Sequence, residues 1–140
     1  MVRWLGVDPG RARVGLAVSD PEERLAVPLE IVAASAAFPA IRAVVARDGI
    51  EGIVIGLARL PSGDEGESAR LARSLGERIR RTLGLPVEYE DEAYTSQAAE
   101  RLVGHHRRSD DLAASIMLQQ FLDRRRGVSP PPKDPPDAEA

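Results

Sequence analysis

Cysteine is absent, which excludes disulfides, thiolate metal sites and cysteine nucleophiles and leaves oxygen or imidazole as the only holders of a metal. Lysine is nearly absent as well: of 19 basic residues only Lys133 is lysine, and the arginines gather at Arg78/Arg80/Arg81, Arg107/Arg108 and Arg124/Arg125/Arg126. The formal net charge of −3 argues against a protein that coats nucleic acid, because non-specific phosphate binding is driven by cationic counterion release. Local positive surfaces on an acidic average remain compatible with a nuclease. No run of about 18 apolar residues occurs, and Met1-Val2-Arg3 leads into a strand pattern rather than a cleavable leader. The expectation is a soluble, cytoplasmic protein with no membrane contact.

At 140 residues there is room for one domain with a real core. The stretch from Val128, through Pro130-Pro131-Pro132 and Pro135-Pro136, has no apolar periodicity, so residues 1–127 are expected to form the domain and 128–140 a disordered, proline-rich tail. Residues 3–8, 13–19 and 25–32 are short apolar runs with short links, the third interrupted by Pro28, and they predict an antiparallel meander. Phe38, Ile41, Val44 and Val45 then fall at helical spacing before a stop at Gly49. Ile53-Val54-Ile55 between Gly52 and Gly56 reads as a strand buried on both faces, which requires helices on both sides. Leu71, Leu75, Ile79 and Leu83 at fourfold spacing predict an amphipathic helix ending near Gly84. Val87-Glu88-Tyr89 alternates as a strand, Thr95 or Ser96 can cap a short helix through Val103, and residues 112–122 make a last helix. The order predicts an α/β fold: a mixed five-stranded sheet, a three-strand meander followed by β-α-β-α, with helices on both faces.

Three acidic positions fall at element boundaries: Asp8 in Gly6-Val7-Asp8-Pro9-Gly10, Glu92 in Glu90-Asp91-Glu92, and Asp110-Asp111 before Leu112-Ala113-Ala114. In open α/β sheets ligands gather beyond the carboxyl ends of the parallel strands, so Asp8 and Glu92 can face one crevice, joined by Asp110 if the last helix points its N-terminus there. Crowded carboxylates repel unless protons or cations compensate them, and an oxygen-only pocket suits hard divalent cations. Each acid also has a plainer reading. Asp-Pro-Gly is a turn sequence, Glu92 sits in an acidic run of a kind that is usually solvated, and acids at a helix start are favoured by the helix dipole. His105 and His106, between Gly104 and Arg107-Arg108, read as loop residues able to touch phosphate. The loop from Gly56 to Gly66 lacks the Gly-Lys-Ser/Thr ending of a nucleotide-binding P-loop.

Four segments resemble the YqgF/RuvX family of bacterial ribonuclease H-like nucleases, which are linked to Holliday-junction resolution and to maturation of the 5′ end of 16S ribosomal RNA. They are Gly6-Val7-Asp8-Pro9-Gly10 with residues 13–20; Ile53-Val54-Ile55-Gly56-Leu57 with Gly63 and Gly66; Asp91-Glu92 before Thr95-Ser96; and Asp110-Asp111-Leu112-Ala113-Ala114. The resemblance implies that Asp8, Glu92 and Asp110 are the catalytic, metal-binding carboxylates, with Asp111 leaving the third ligand's register open by one residue. It also implies hydrolysis of phosphodiesters by two Mg²⁺ or Mn²⁺ ions. Arg13, His105, His106, Arg107 and Arg108 are candidate phosphate contacts, arginine being favoured by its bidentate geometry. The chain departs from the family pattern at Ala12, Ala58 and Ala93, the last standing where an arginine is usual. The expected partner is structured RNA or branched or single-stranded DNA, and symmetric cleavage of a four-way junction would favour a homodimer. The alternatives are a non-catalytic RNA-binding ribosome-assembly factor and an actin-like or sugar-kinase ATPase, the latter needing a second lobe that this chain does not supply.

Overall fold

The computed structural model describes residues 2–91 and 110–127, with side chains described from 112 onward in the second stretch. Strand β1 (Trp4–Pro9) turns into antiparallel β2 (Arg13–Ser19), which pairs with β3 (Ala26–Ala33). The first turn requires glycine at position 10, where a Cβ would lie 2.7 Å from the Arg13 carbonyl oxygen. Helix α1 (Ala37–Asp48) ends at Gly49, left-handed at φ 64°, and its N–H caps the Val45 carbonyl. Strand β4 (Gly52–Leu57), helix α2 (Glu67–Leu83), strand β5 (Val87–Asp91) and helix α3 (Asp110–Arg125) follow. The short helix expected near 95–103, like the tail from 128, lies outside the described residues.

The sheet order is β3-β2-β1-β4-β5, with the meander antiparallel and β1, β4 and β5 parallel. The expected mixed five-stranded architecture is therefore what forms. Pro28, which broke the third apolar run, sits on the edge strand, and the ladder slips between Leu16 and Ala17 opposite it, as a residue without an N–H dictates.

Strand alternation divides the sheet into two cores. Leu5, Val7, Leu16, Ile53 and Ile55 face α1 and α2, whereas Trp4, Ala17 and Val54 face α3 through Ala114, Met117, Leu118, Phe121 and Leu122. Each fully buried aliphatic side chain contributes about 1.5–3 kcal/mol of burial free energy, so both faces bind their helices firmly. Trp4 meets Phe121 edge-on, with ring centroids 4.8 Å apart. Behind them Glu23 accepts hydrogen bonds from the Val2 backbone N–H (2.6 Å), the Arg125 guanidinium (3.2 Å) and the Trp4 indole (3.4 Å). This carboxylate ties the start of β1 to the end of α3.

Two details differ from the sequence expectation. Of the predicted stripe on α2, Ile79 is fully buried and Leu75 and Leu83 pack partly against the core, while Leu71 is 45% exposed and the innermost positions are taken by Ala69, Ala72 and Gly76. Small residues win because the helix lies close to the sheet: a Cβ at Gly76 would stand 3.0 Å from both Ile55 Cδ1 and Tyr89 Cζ. The second is Glu90, expected to be solvated with its acidic neighbours. It is 1% exposed, inside the α3 interface, paired with Arg124 and accepting a 3.3 Å hydrogen bond from Gln120. A buried carboxylate is tolerated there because α3 brings a cation and an amide to it.

Candidate active site

Asp8 stands at the carboxyl end of β1, half-buried, on the face that carries Trp4 and Gly6. Gly6 lets α3 approach closely, since a Cβ there would lie 3.0 Å from Leu118 Cβ and 3.5 Å from the Ala114 carbonyl oxygen. Trp4 touches Phe121 and Gly6 touches Leu118 and Ala114, so α3 runs antiparallel to β1. Two strand residues advance ~6.6 Å, the rise of four to five helix residues. Asp8, two residues beyond Gly6, is therefore level with the first turn of α3, where Asp110 begins the helix.

The neighbouring strands frame this position. Gly15 is the β2 partner of Asp8, and Val7 pairs with Ile55 of β4, which puts Gly56 at the next register position beside Asp8. Gly56 in turn pairs with Glu90, and Leu57 with Asp91, so β5 ends at the same edge of the sheet one residue before Glu92. Arg13 is exposed at the head of β2, on the face of Gly15 and Ala17, a diagonal neighbour of Asp8 in the hairpin. The sheet thus presents Asp8, Arg13 and the end of β5 along one edge.

Of the sequence candidates, Asp8, Arg13 and the backbone of Asp110 are brought together here. Glu92, His105, His106, Arg107 and Arg108 lie outside the described residues, as do the side chains of Asp110 and Asp111. Among the described residues no three carboxylate or imidazole groups converge. The fit of the edge to a divalent cation rests on the hard oxygen donor of Asp8, beside the helix start that carries two more carboxylates.

The sequence marks the loop between β4 and α2 as glycine-rich and able to bring backbone amides to a phosphate, but does not single out its arginine, Arg59. Leu60 N–H donates to the Asp64 carbonyl (2.9 Å) and Gly63 N–H to the Leu60 carbonyl (2.8 Å), closing the loop on itself over the same edge. Glu65 is held by Arg73 through two short bonds of 2.7 and 2.6 Å, which hold its carboxyl below the ordinary glutamate range. Arg73 also covers the Tyr89 ring at 4.9 Å. Arg59 projects toward β5, with its Nε 3.4 Å from Asp91. An arginine inside a glycine-rich loop was the available signal.

A family model described as "RuvX: Holliday junction resolvase" matches residues 2–124. The chain belongs to the RuvX family. Its relatives include candidate pre-16S rRNA nucleases of Chloroflexus aggregans (36% identical, covering 87% of this chain and 94% of the relative) and Thermosynechococcus vestitus (35%, 89% and 90%). Another, from Lactobacillus delbrueckii subsp. bulgaricus, is 32% identical, with 89% of this chain and 99% of the relative covered. Among solved structures, Thermus thermophilus RuvC in complex with a Holliday junction substrate aligns over 94% of this chain and all of that chain, with a TM-score of 0.59 and 20% identity. That likeness establishes the ribonuclease H-like fold. RuvX membership assigns the chain to the hydrolases of nucleic-acid phosphodiester bonds, a class that generally depends on divalent metal ions. Among the described residues no helix is long and apolar enough to cross a membrane.

Proposed function

We propose that this RuvX protein is a cytoplasmic, metal-dependent nuclease in which Asp8, Glu92 and Asp110 hold two Mg²⁺ or Mn²⁺ ions at the carboxyl edge of the sheet. The observation that carries this reading is the position of Asp8, level with the first turn of α3 and on the face that α3 covers. Asp110 is favoured over Asp111 as the third ligand because it lies one and two helical turns before Ala114 and Leu118, the two residues that meet Gly6. Such ions supply an activated water for in-line attack and stabilise the leaving oxygen. The chain's own residues fix that chemistry in place. The hairpin holds Asp8 at the end of a strand buried on both faces, Gly6 sets the spacing between β1 and α3, and Arg13 with the 105–108 segment orients the phosphate backbone.

The substrate class is nucleic acid, and the relatives' names favour pre-16S rRNA, in this reading at its 5′ end, with branched DNA such as a Holliday junction as the second substrate. Cleavage of a junction at symmetric positions would engage a homodimer. Residues 1–127 act as the nuclease domain, and 128–140 as its proline-rich tail. The test is a Mn²⁺-supported cleavage assay on 5′-extended rRNA precursor, single-stranded DNA and a four-way junction, with Asp8→Asn and Glu92→Gln as controls. Loss of cutting in both variants is expected. Cutting by Asp8→Asn at the parent rate refutes the assignment, and an inert parent that still binds rRNA points to an assembly factor instead.

A further inference from the structure

Exposed Glu88 and Asp91 make an acidic run toward the end of β5, beside the edge where a polyanion must dock. An approaching phosphate is repelled unless a cation stands in front of that run. Arg59 is in that position. It lies three residues past Gly56, the register neighbour of Asp8, within about 10 Å of chain reach. Its Nε is 3.4 Å from Asp91 Oδ2 and its Nη1 3.7 Å from Glu65 Oε2, ion pairs looser than the 2.6–2.7 Å bonds between Arg73 and Glu65. Its hydrogen bond goes to the Gly63 carbonyl, at 3.3 Å.

The reason the contact to Glu65 is loose is visible about two turns into α2. Arg73 takes both Glu65 oxygens at 2.6–2.7 Å, so Arg59 is left as the outer partner of an acid already bound. Arg11, also near this edge, is different: it makes a 2.9 Å bond to Glu67. A guanidinium has five N–H donors in a planar fork suited to phosphate, and Arg59 spends one of them on Gly63. The self-bonded loop holds its stem at the lip of the edge, and the side chain is 36% exposed.

We infer that Arg59 is a phosphate clamp of this enzyme, binding the nucleic-acid backbone next to the cleaved bond and screening it from the acidic end of β5. The inference rests on the nuclease reading above and adds a residue to it. Arg59 contacts substrate without touching the reacting bond, so it governs binding more than turnover.

The experiment measures binding of the full chain carrying Asp8→Asn to a 5′-extended rRNA fragment and to a four-way DNA junction, by fluorescence anisotropy from 50 to 300 mM salt (roughly the range where counterion release is read). Arg59→Gln and Arg59→Lys are compared with Arg47→Gln, which removes the same charge at the far end of the sheet, where Arg47 pairs with Asp48. Thermal melts verify that each variant folds. The clamp predicts that Arg59→Gln flattens the log K against log salt slope by about 0.7–0.9 and weakens binding about tenfold, with Arg59→Lys in between and Arg47→Gln unchanged. In the cleavage assay, with Asp8 intact, Arg59→Gln should raise KM and leave kcat within about twofold. Equal slopes for Arg59→Gln and its parent overturn the clamp, as do equal losses in Arg59→Gln and Arg47→Gln. A parent chain that binds neither nucleic acid overturns the nuclease reading itself, and the clamp with it.

Discussion

Gly52→Ala strikes one of the tightest contacts among the described residues. Gly52 begins β4 with the Trp4 ring lying on its Cα, and a Cβ there would come to 2.6 Å from Trp4 Cε3 and 2.9 Å from Cη2. The indole has little room to yield. It is 4% exposed, set edge-on against Phe121, covered by the Arg125 guanidinium at 5.1 Å and tied by its N–H to Glu23. Overpacking of this kind costs about 1–3 kcal/mol, and disturbing the aromatic pair about 0.5–1.5 kcal/mol more. Replacing a strand glycine by alanine returns about 0.5–1 kcal/mol through the unfolded chain, leaving a net loss of about 2 kcal/mol. With a urea m-value of about 2 kcal/mol/M, the unfolding midpoint should fall by about 1 M. Trp4 is the single tryptophan, so its emission reports the displaced ring directly in the folded protein. In a Trp4→Leu background, followed by far-UV circular dichroism, the cost of Gly52→Ala should shrink by at least about 1 kcal/mol. An unshifted emission with a midpoint within about 0.2 M of the parent would refute the account of this contact.

Asp8→Asn should keep the unfolding midpoint and lose Mn²⁺-dependent cleavage by more than about a hundredfold, read as initial rates on the preferred substrate. Burial tends to raise the Glu23 pKa, but the hydrogen bonds from the Val2 N–H, Arg125 and Trp4 outweigh it and hold it below the ordinary glutamate value of 4.5. Its contribution to stability is therefore complete above 4.5 and lost as pH falls through the depressed folded value. Glu23→Gln should flatten the acid limb of a midpoint-against-pH curve, and an unchanged limb would remove Glu23 from the account. Arg124→Ala strips the cation from buried Glu90 and should cost about 1–3 kcal/mol in urea unfolding, whereas Glu90→Leu added to it should recover most of that loss.

The sheet was legible because glycines bracket its apolar runs and link lengths decide pairing. Three runs joined by short turns had to form a meander, and a β-branched run between Gly52 and Gly56 had to be central. Asp8 was legible for a related reason, since a strand that ends in Asp-Pro-Gly delivers its last acid to the edge. What escaped was anything fixed by the separation of layers. Of the fourfold stripe on α2, Ile79, Leu75 and Leu83 do pack on the core, but Leu71 is left outside, because the closeness of Tyr89 and Ile55 puts Ala72 and Gly76 innermost. Glu90 resembled its solvated neighbours, because nothing in residues 88–92 announces that Gln120 and Arg124 arrive from thirty residues away. Arg59 was hidden in the same way, its surroundings being made by Glu65, Arg73 and Asp91 from three separate elements.

The latch at Glu23 has a practical corollary for handling the protein. Because α3 runs back along β1, Val2 and Arg125 meet at the rear of the molecule, opposite the edge that carries Asp8. An affinity tag, a fluorophore or a surface tether attached next to Val2 therefore anchors the molecule by its back. The working mouth is left facing the solution, so single-molecule measurements on immobilised protein can present long RNA or a branched DNA without obstruction.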